Sequence, residues 1–216
     1  MSKNLIKRIF TSIVLIILLF LIMINNLALG AVLIILGTFS LIEFFNISLK
    51  IFKKKRLKQF LSNLIFTIYI FSFCSYFFAL SFFLHLKLIL FVILITCVAS
   101  DIGGFIFGKI FKGPKLTKVS PNKTISGSIG SILFSSSVIS LSIYFITESF
   151  DPYILIIGSL VSISCQIGDL FFSFLKRKSS IKDSGNFLPG HGGVLDRVDG
   201  LLLGIPIGFL ILLLFY

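Results

Sequence analysis

Long apolar runs recur down this chain, each close to the length a helix needs to cross a hydrocarbon layer about 30 Å thick. They fall at 8–25, 27–47, 60–84, 88–110, 126–147, 153–175 and 199–216, with short polar breaks between them. In lipid the backbone has no water to bond, so a spanning segment must close its hydrogen bonds internally. Segments of this length do so as helices and are too long for barrel strands. The expected fold is therefore all-α: a polytopic transmembrane helical bundle of about seven membrane-spanning helices. Composition agrees, because 56% of the residues are hydrophobic and only 13% charged, whereas a soluble domain uses about 25% charged residues to cover its surface.

Lys3, Lys7 and Arg8 ahead of the first run give it the look of a signal peptide, but its far end passes almost at once into the next apolar run. A retained first helix is expected rather than a cleaved one. The basic residues then set the topology. Of the 20 Lys and Arg, three lie in 1–8, six in 50–58, five in 109–123 and five in 176–197, with Lys87 the exception. With seven spans all four clusters fall on one side, which the positive-inside rule makes the cytoplasm; the N-terminus is expected there and the C-terminus outside. The same distribution removes the nucleic-acid reading of a net charge of +12, since basic loops beside a bilayer fix topology and touch anionic lipid. Cys74, Cys97 and Cys165 sit singly inside apolar runs and read as packing residues.

By content the chain divides in two. Residues 1–87 are N-terminal transmembrane helices with one basic cytoplasmic loop, and Glu43 there reads as structural, facing a neighbouring helix or snorkelling to the surface. Residues 88–216 carry the polar chemistry, with cytoplasmic loops 112–125 and 176–198. Asp101 interrupts an otherwise apolar run, and an unpaired carboxylate in hydrocarbon costs several kcal/mol, so it is expected to face a cavity, a cation or a transported ion. Gly103, Gly104 and Gly108 beside it admit either a ligand or a close helix neighbour. Gln166, Asp169, Ser173 and Lys176 recur at spacings of three and four, hence on one helix face. That stripe invites a phosphate or metal, with an interhelical hydrogen-bond seam as the plainer alternative.

Lys115, Lys118 and Lys123 alternate with Thr117, Ser120, Thr124 and Ser126 in loop 112–127, all of them donors suited to phosphoryl oxygens. No GxxxxGK[ST] loop is present. The segment from Pro189 to Gly193 is too glycine-rich for helix, so it brings its backbone and His191 close to a ligand. Asp196 and Asp199 share a helix face if a helix begins near Val194, and with Asp169 they are a donor set for magnesium. Two histidines in the chain argue against zinc. The residues alone predict phosphoryl or nucleotidyl transfer on a lipid.

The run of Ser173, Lys176, Arg177, Lys182, Asp183, Gly185, Pro189, Gly190, His191, Gly192, Gly193, Asp196, Arg197 and Asp199 resembles the defining motif of the phosphatidate cytidylyltransferase (CDP-diacylglycerol synthase) family of bacteria. The stretch from Asp101 through Gly108 and Lys109 to Ser120, Pro121, Lys123, Thr124 and Gly127 is similar to the family's second motif. Together they cover roughly 95–204. Ser126 stands where members carry Glu or Gln, and Gly104 and Phe105 where Ala and Tyr are frequent. The chain is also shorter than many members and is expected to lack N-terminal helices.

The resemblance implies cytidylyl transfer from CTP to phosphatidate in the bacterial inner membrane, with the active site toward the cytoplasm. It implies one or two magnesium ions, with an additional monovalent cation as an option, and a homodimer. Carried onto this sequence, Asp169, Asp196 and Asp199 are metal ligands and, with Lys176 and Arg197, catalytic; Asp101 and Asp183 are supporting ligands. Lys118, Ser120, Lys123, Thr124, Ser173, Arg177, His191, Gly192 and Gly193 bind substrate phosphate. The alternatives are a CTP-dependent enzyme acting on another lipid phosphate or isoprenoid alcohol phosphate, and an ion-coupled transporter using Asp101 and Asp169.

Overall fold

A computed structural model describes residues 14, 17–187 and 192–215. The fold is all-α. After a helical stretch at 17–24 come α1 (Asn26–Ile51), α2 (Arg56–Leu80), α3 (Leu84–Phe111), α4 (Ile125–Thr147), α5 (Tyr153–Lys178) and α6 (Leu195–Phe215). Each of these six is long and apolar enough to cross a membrane, so the chain is a polytopic membrane protein. The basic loops follow α1, α3 and α5, that is, every second helix.

The spans expected from the sequence recur with shifted ends. The second helix begins at Arg56 rather than 60 and closes at Leu80 rather than 84. Basic residues in its first turn lie inside the helix because long cationic side chains reach water from a helical backbone. Its other end is closed by the Ser81 hydroxyl, which donates to the Phe78 carbonyl at 2.7 Å. The last helix begins at Leu195, not 199, so both Asp196 and Asp199 are helical. Of the first expected span, 8–25, only 14 and 17–25 lie among the described residues.

Two compact units emerge. The first comprises the described residues of Met1–Leu84 with Leu175–Val198. Here α1 starts at Asn25, whose side chain accepts from the Leu27 and Ala28 amides at 2.9 and 3.4 Å. Asn26 reaches the Ser81 carbonyl at 3.4 Å, closing α1 and α2 as an antiparallel hairpin. Buried Leu29, Leu33, Phe44 and Ile47 of α1 belong to its core with Phe66, Ile70, Phe73 and Phe77 of α2, and the Phe44 and Phe66 rings stack 3.8 Å apart. Phe187 packs on Phe39, with centroids 3.6 Å apart, which lays the segment after α5 against α1.

The second unit comprises the described residues of His85–Phe174 with Asp199–Tyr216. Lipid tails offer helices no hydrophobic incentive to associate, so close packing of small residues must supply it. The α3 and α4 seam is built that way: a β-carbon on Gly103 would meet Phe134 Cβ at 2.6 Å and the Gly130 carbonyl oxygen at 2.7 Å, and one on Gly127 would meet the Gly104 carbonyl at 2.7 Å. Packing therefore accounts for Gly103 and Gly104. Ser100 and Ser162, both buried, join α3 to α5 at 2.7 Å. Cys97 and Cys165 are buried free thiols beside Gly204, where a β-carbon would come within 2.8 Å of Cys97 Sγ.

Candidate active site

In the second unit the loop 112–124 is folded back on itself. Leu116 donates to the Lys123 carbonyl at 2.8 Å and Ile125 to the Pro114 carbonyl at 3.0 Å. Ser120 donates its amide to Thr117 Oγ1 at 3.3 Å. Thr124 caps α4, accepting from the Gly127 amide at 3.1 Å, and the Ser126 hydroxyl donates to the Lys112 carbonyl. Ser126, the departure from the family pattern, thus fastens the loop's two ends together. Lys118 stays exposed, and Ser120 and Thr124 are half-buried.

Lys123 projects from this loop into an ion pair with Asp169 of α5, their side chains 29% and 28% exposed. One turn earlier, Gln166 accepts from the Ser128 hydroxyl and donates to Ser162 Oγ at 3.2 Å. The polar stripe read on α5 therefore divides by height. Gln166 belongs to an interhelical hydrogen-bond seam, and Asp169 sits where that seam opens onto the loop. Asp199 is buried; its Oδ1 accepts from the Gly200 amide at 3.0 Å. A β-carbon on Gly168 would meet the Asp199 carbonyl at 2.6 Å, so the backbones of α5 and α6 are in contact beside both aspartates. Asp101 is exposed and lies outside the packed seam that takes its neighbour Gly103.

In the first unit Lys176 donates to Asp196 Oδ1 at 2.6 Å, with side chains only 12% and 10% exposed. Asp196 Oδ2 accepts from the Ser184 amide at 2.8 Å and the Gly193 amide at 3.0 Å. Gly192, at φ 84°, leaves space filled by aspartates: a β-carbon there would lie 3.1 Å from Asp196 Oδ2 and 3.7 Å from Asp183 Cγ. Asp183 is exposed and borders a cavity of about 350 Å³ with Asn46, Lys50 and Asn186. Arg177 and Arg197 are exposed, and Ser173 is half-buried. His191 lies outside the described residues.

Sequence reading did not foresee how much Glu43 does. It is 5% exposed and accepts from the Ser184 hydroxyl at 2.6 Å, the Val194 amide at 2.9 Å and the Leu195 amide at 2.9 Å. Gly193, read as backbone available to a ligand, and Gly185 make room for it: β-carbons at Gly185 and Gly193 would meet Glu43 Cδ at 2.9 and 2.7 Å. The signal was present, since Glu43 is the sole acidic residue before Asp101 and a carboxylate in an apolar helix needs donors.

Among the described residues no three or more His, Cys, Asp or Glu side chains gather as a metal cage. Magnesium seldom uses one; it is held by one or two carboxylates together with substrate phosphates. The all-oxygen chemistry of Asp169 and Asp199 in the second unit, and separately of Asp183 and Asp196 in the first, fits that second mode.

A family model described as the cytidylyltransferase family matches residues 6–215. Among curated proteins, the chain is 41% identical over 133 residues to phosphatidate cytidylyltransferase of Rickettsia felis, covering 57% of this chain and 59% of that protein. It is 44% identical over 130 residues to the protein of that name from Rickettsia bellii, 56% of each. Against the Helicobacter pylori protein of that name, identity is 40% over 112 residues, 52% of this chain and 42% of the relative. The matches thus span roughly half the length of the relatives, and the motif resemblance stands with them.

Proposed function

This chain belongs to the cytidylyltransferase family, and from that premise we propose that it transfers the cytidylyl group of CTP to phosphatidate, giving CDP-diacylglycerol and pyrophosphate. The single observation that carries the reading furthest is the Lys123 and Asp169 pair: a partly exposed ammonium on a folded loop of phosphate-type donors, held by a carboxylate in the C-terminal half of a membrane helix. An incoming phosphate competes for that ammonium without unpacking the bundle.

In the proposed step a phosphate oxygen of phosphatidate attacks the α-phosphorus of CTP. The bond to the β-phosphate breaks, and its electron pair leaves with pyrophosphate. The nucleophile is already an anion, so no serine or cysteine needs activation. Lys123, with Lys118 and the hydroxyls of Ser120 and Thr124, receives phosphate oxygens; Lys176, Arg177, Arg197 and Ser173 are proposed to do the same beyond Asp169, toward and past the C-terminal end of α5. Asp169, Asp196 and Asp199 are proposed to hold magnesium, with Asp101 and Asp183 in support, and the ion supplies charge neutralisation on the reacting phosphates. The acyl chains stay in hydrocarbon while the headgroup meets the basic loops, which this reading puts on the cytoplasmic face of a bacterial inner membrane. A homodimer is the proposed working unit.

Reconstituted protein given phosphatidate and labelled CTP should form CDP-diacylglycerol and pyrophosphate in equal yield, and only with magnesium. Neither product forming, beside an active cytidylyltransferase control, overturns the reading. If an isoprenoid or ether-lipid phosphate outcompetes phosphatidate, nucleotidyl transfer stands and the lipid is reassigned.

A further inference from the structure

The three donors that fill Glu43 all come from 184–195, more than 140 residues further along the chain. Two are amides at the start of α6, where unsatisfied N–H groups and the positive end of the helix dipole favour an anion. Val194 stands just ahead of that helix and has no side-chain acceptor to cap it. Glu43 supplies the missing cap from α1. The same segment is held from its other side by Asp196, which takes the Ser184 and Gly193 amides. Ser184 is shared, its hydroxyl on Glu43 and its amide on Asp196.

We propose that Glu43 is a positioning residue: its carboxylate fixes the start of α6 and, through Ser184 and Gly193, the orientation in which Asp196 meets Lys176. What is positioned for catalysis rests on the proposed function; the anchoring does not. The carboxylate is required rather than merely a polar group. Oε1 accepts from Val194, while Oε2 accepts from both Leu195 and Ser184. A glutamine must turn its NH₂ toward one of these sets, donor against donor.

The test is Glu43→Gln in the full chain, with Ser184→Ala as a milder variant that keeps the charge, read by amide hydrogen exchange resolved to single residues. Glu43→Gln should raise exchange at least about tenfold, the size of one lost hydrogen bond at 1.4 kcal/mol, at Val194 and Leu195. It should also raise exchange at Ser184 and Gly193, which bond Asp196 and not Glu43, and leave α3 and α4 unchanged. Ser184→Ala should show a smaller rise at the same amides. In the transfer assay, Glu43→Gln should raise the KM for CTP, whereas a mere loss of folded molecules lowers kcat alone. Faster exchange confined to Val194 and Leu195, or an unchanged KM for CTP in an active enzyme, overturns the proposal. A wild-type protein with no transfer activity overturns the proposed function, and the Ser184 and Gly193 amides still decide the positioning.

Discussion

Lys176 and Asp196 are held together with 12% and 10% of their side chains exposed, while Lys123 and Asp169 keep 29% and 28%. The chemistry of the two pairs is the same and the surroundings are not. Asp196 has both oxygens filled, by an ammonium and two backbone amides, and its neighbour Glu43 is equally saturated. Asp169 has its lysine and an open side. The first pair is enclosed by its unit, and the second, more open to solvent, exchanges its ammonium for a substrate oxygen more readily. Matching motif residues therefore do not imply matching surroundings.

The largest effect expected from this contrast is on stability. Lys176→Met strands a nearly buried carboxylate and should destabilise the protein by about 3 kcal/mol or more, whereas Lys123→Met should cost no more than about 1 kcal/mol; unfolding in detergent measures both. Equal losses would erase the distinction. Next, Asp169→Asn should lower turnover on the order of 100-fold while the unfolding midpoint stays near that of the wild type, because a half-exposed pair contributes little to folding. Activity close to wild type at limiting magnesium would remove Asp169 from the site. The smallest effect is at the loop: Ser126→Ala deletes the bond to the Lys112 carbonyl and should weaken turnover no more than about fivefold, the equivalent of about 1 kcal/mol. A larger loss would give Ser126 a direct role in binding.

Helices were legible because an apolar run of about twenty residues has one answer in lipid. Their ends were less so, since Arg56 and Lys58 look like loop and are helix. The stripe on α5 was legible from its spacing, but not where along it the hydrogen-bond seam gives way to the ion pair. Gly103 and Gly193 show a deeper limit. Each removes a side chain to admit something, and a single sequence cannot say whether that is a ligand, a helix backbone or the carboxylate of Glu43. Partners 141 to 152 positions apart are assigned by the fold, not by any local pattern.

That separation carries a cost in time. Glu43 enters the membrane 152 residues before Leu195 is made, which at 5–20 residues per second is roughly 8–30 s of synthesis. Throughout that interval the nascent α1 must hold an acidic side chain whose eventual donors do not yet exist, at the lipid–water boundary or against the insertion machinery. The N-terminal hairpin can form early, but its final seating waits for nearly the last helix to leave the ribosome. Chains stalled before residue 184 should therefore be the ones that cellular quality control removes.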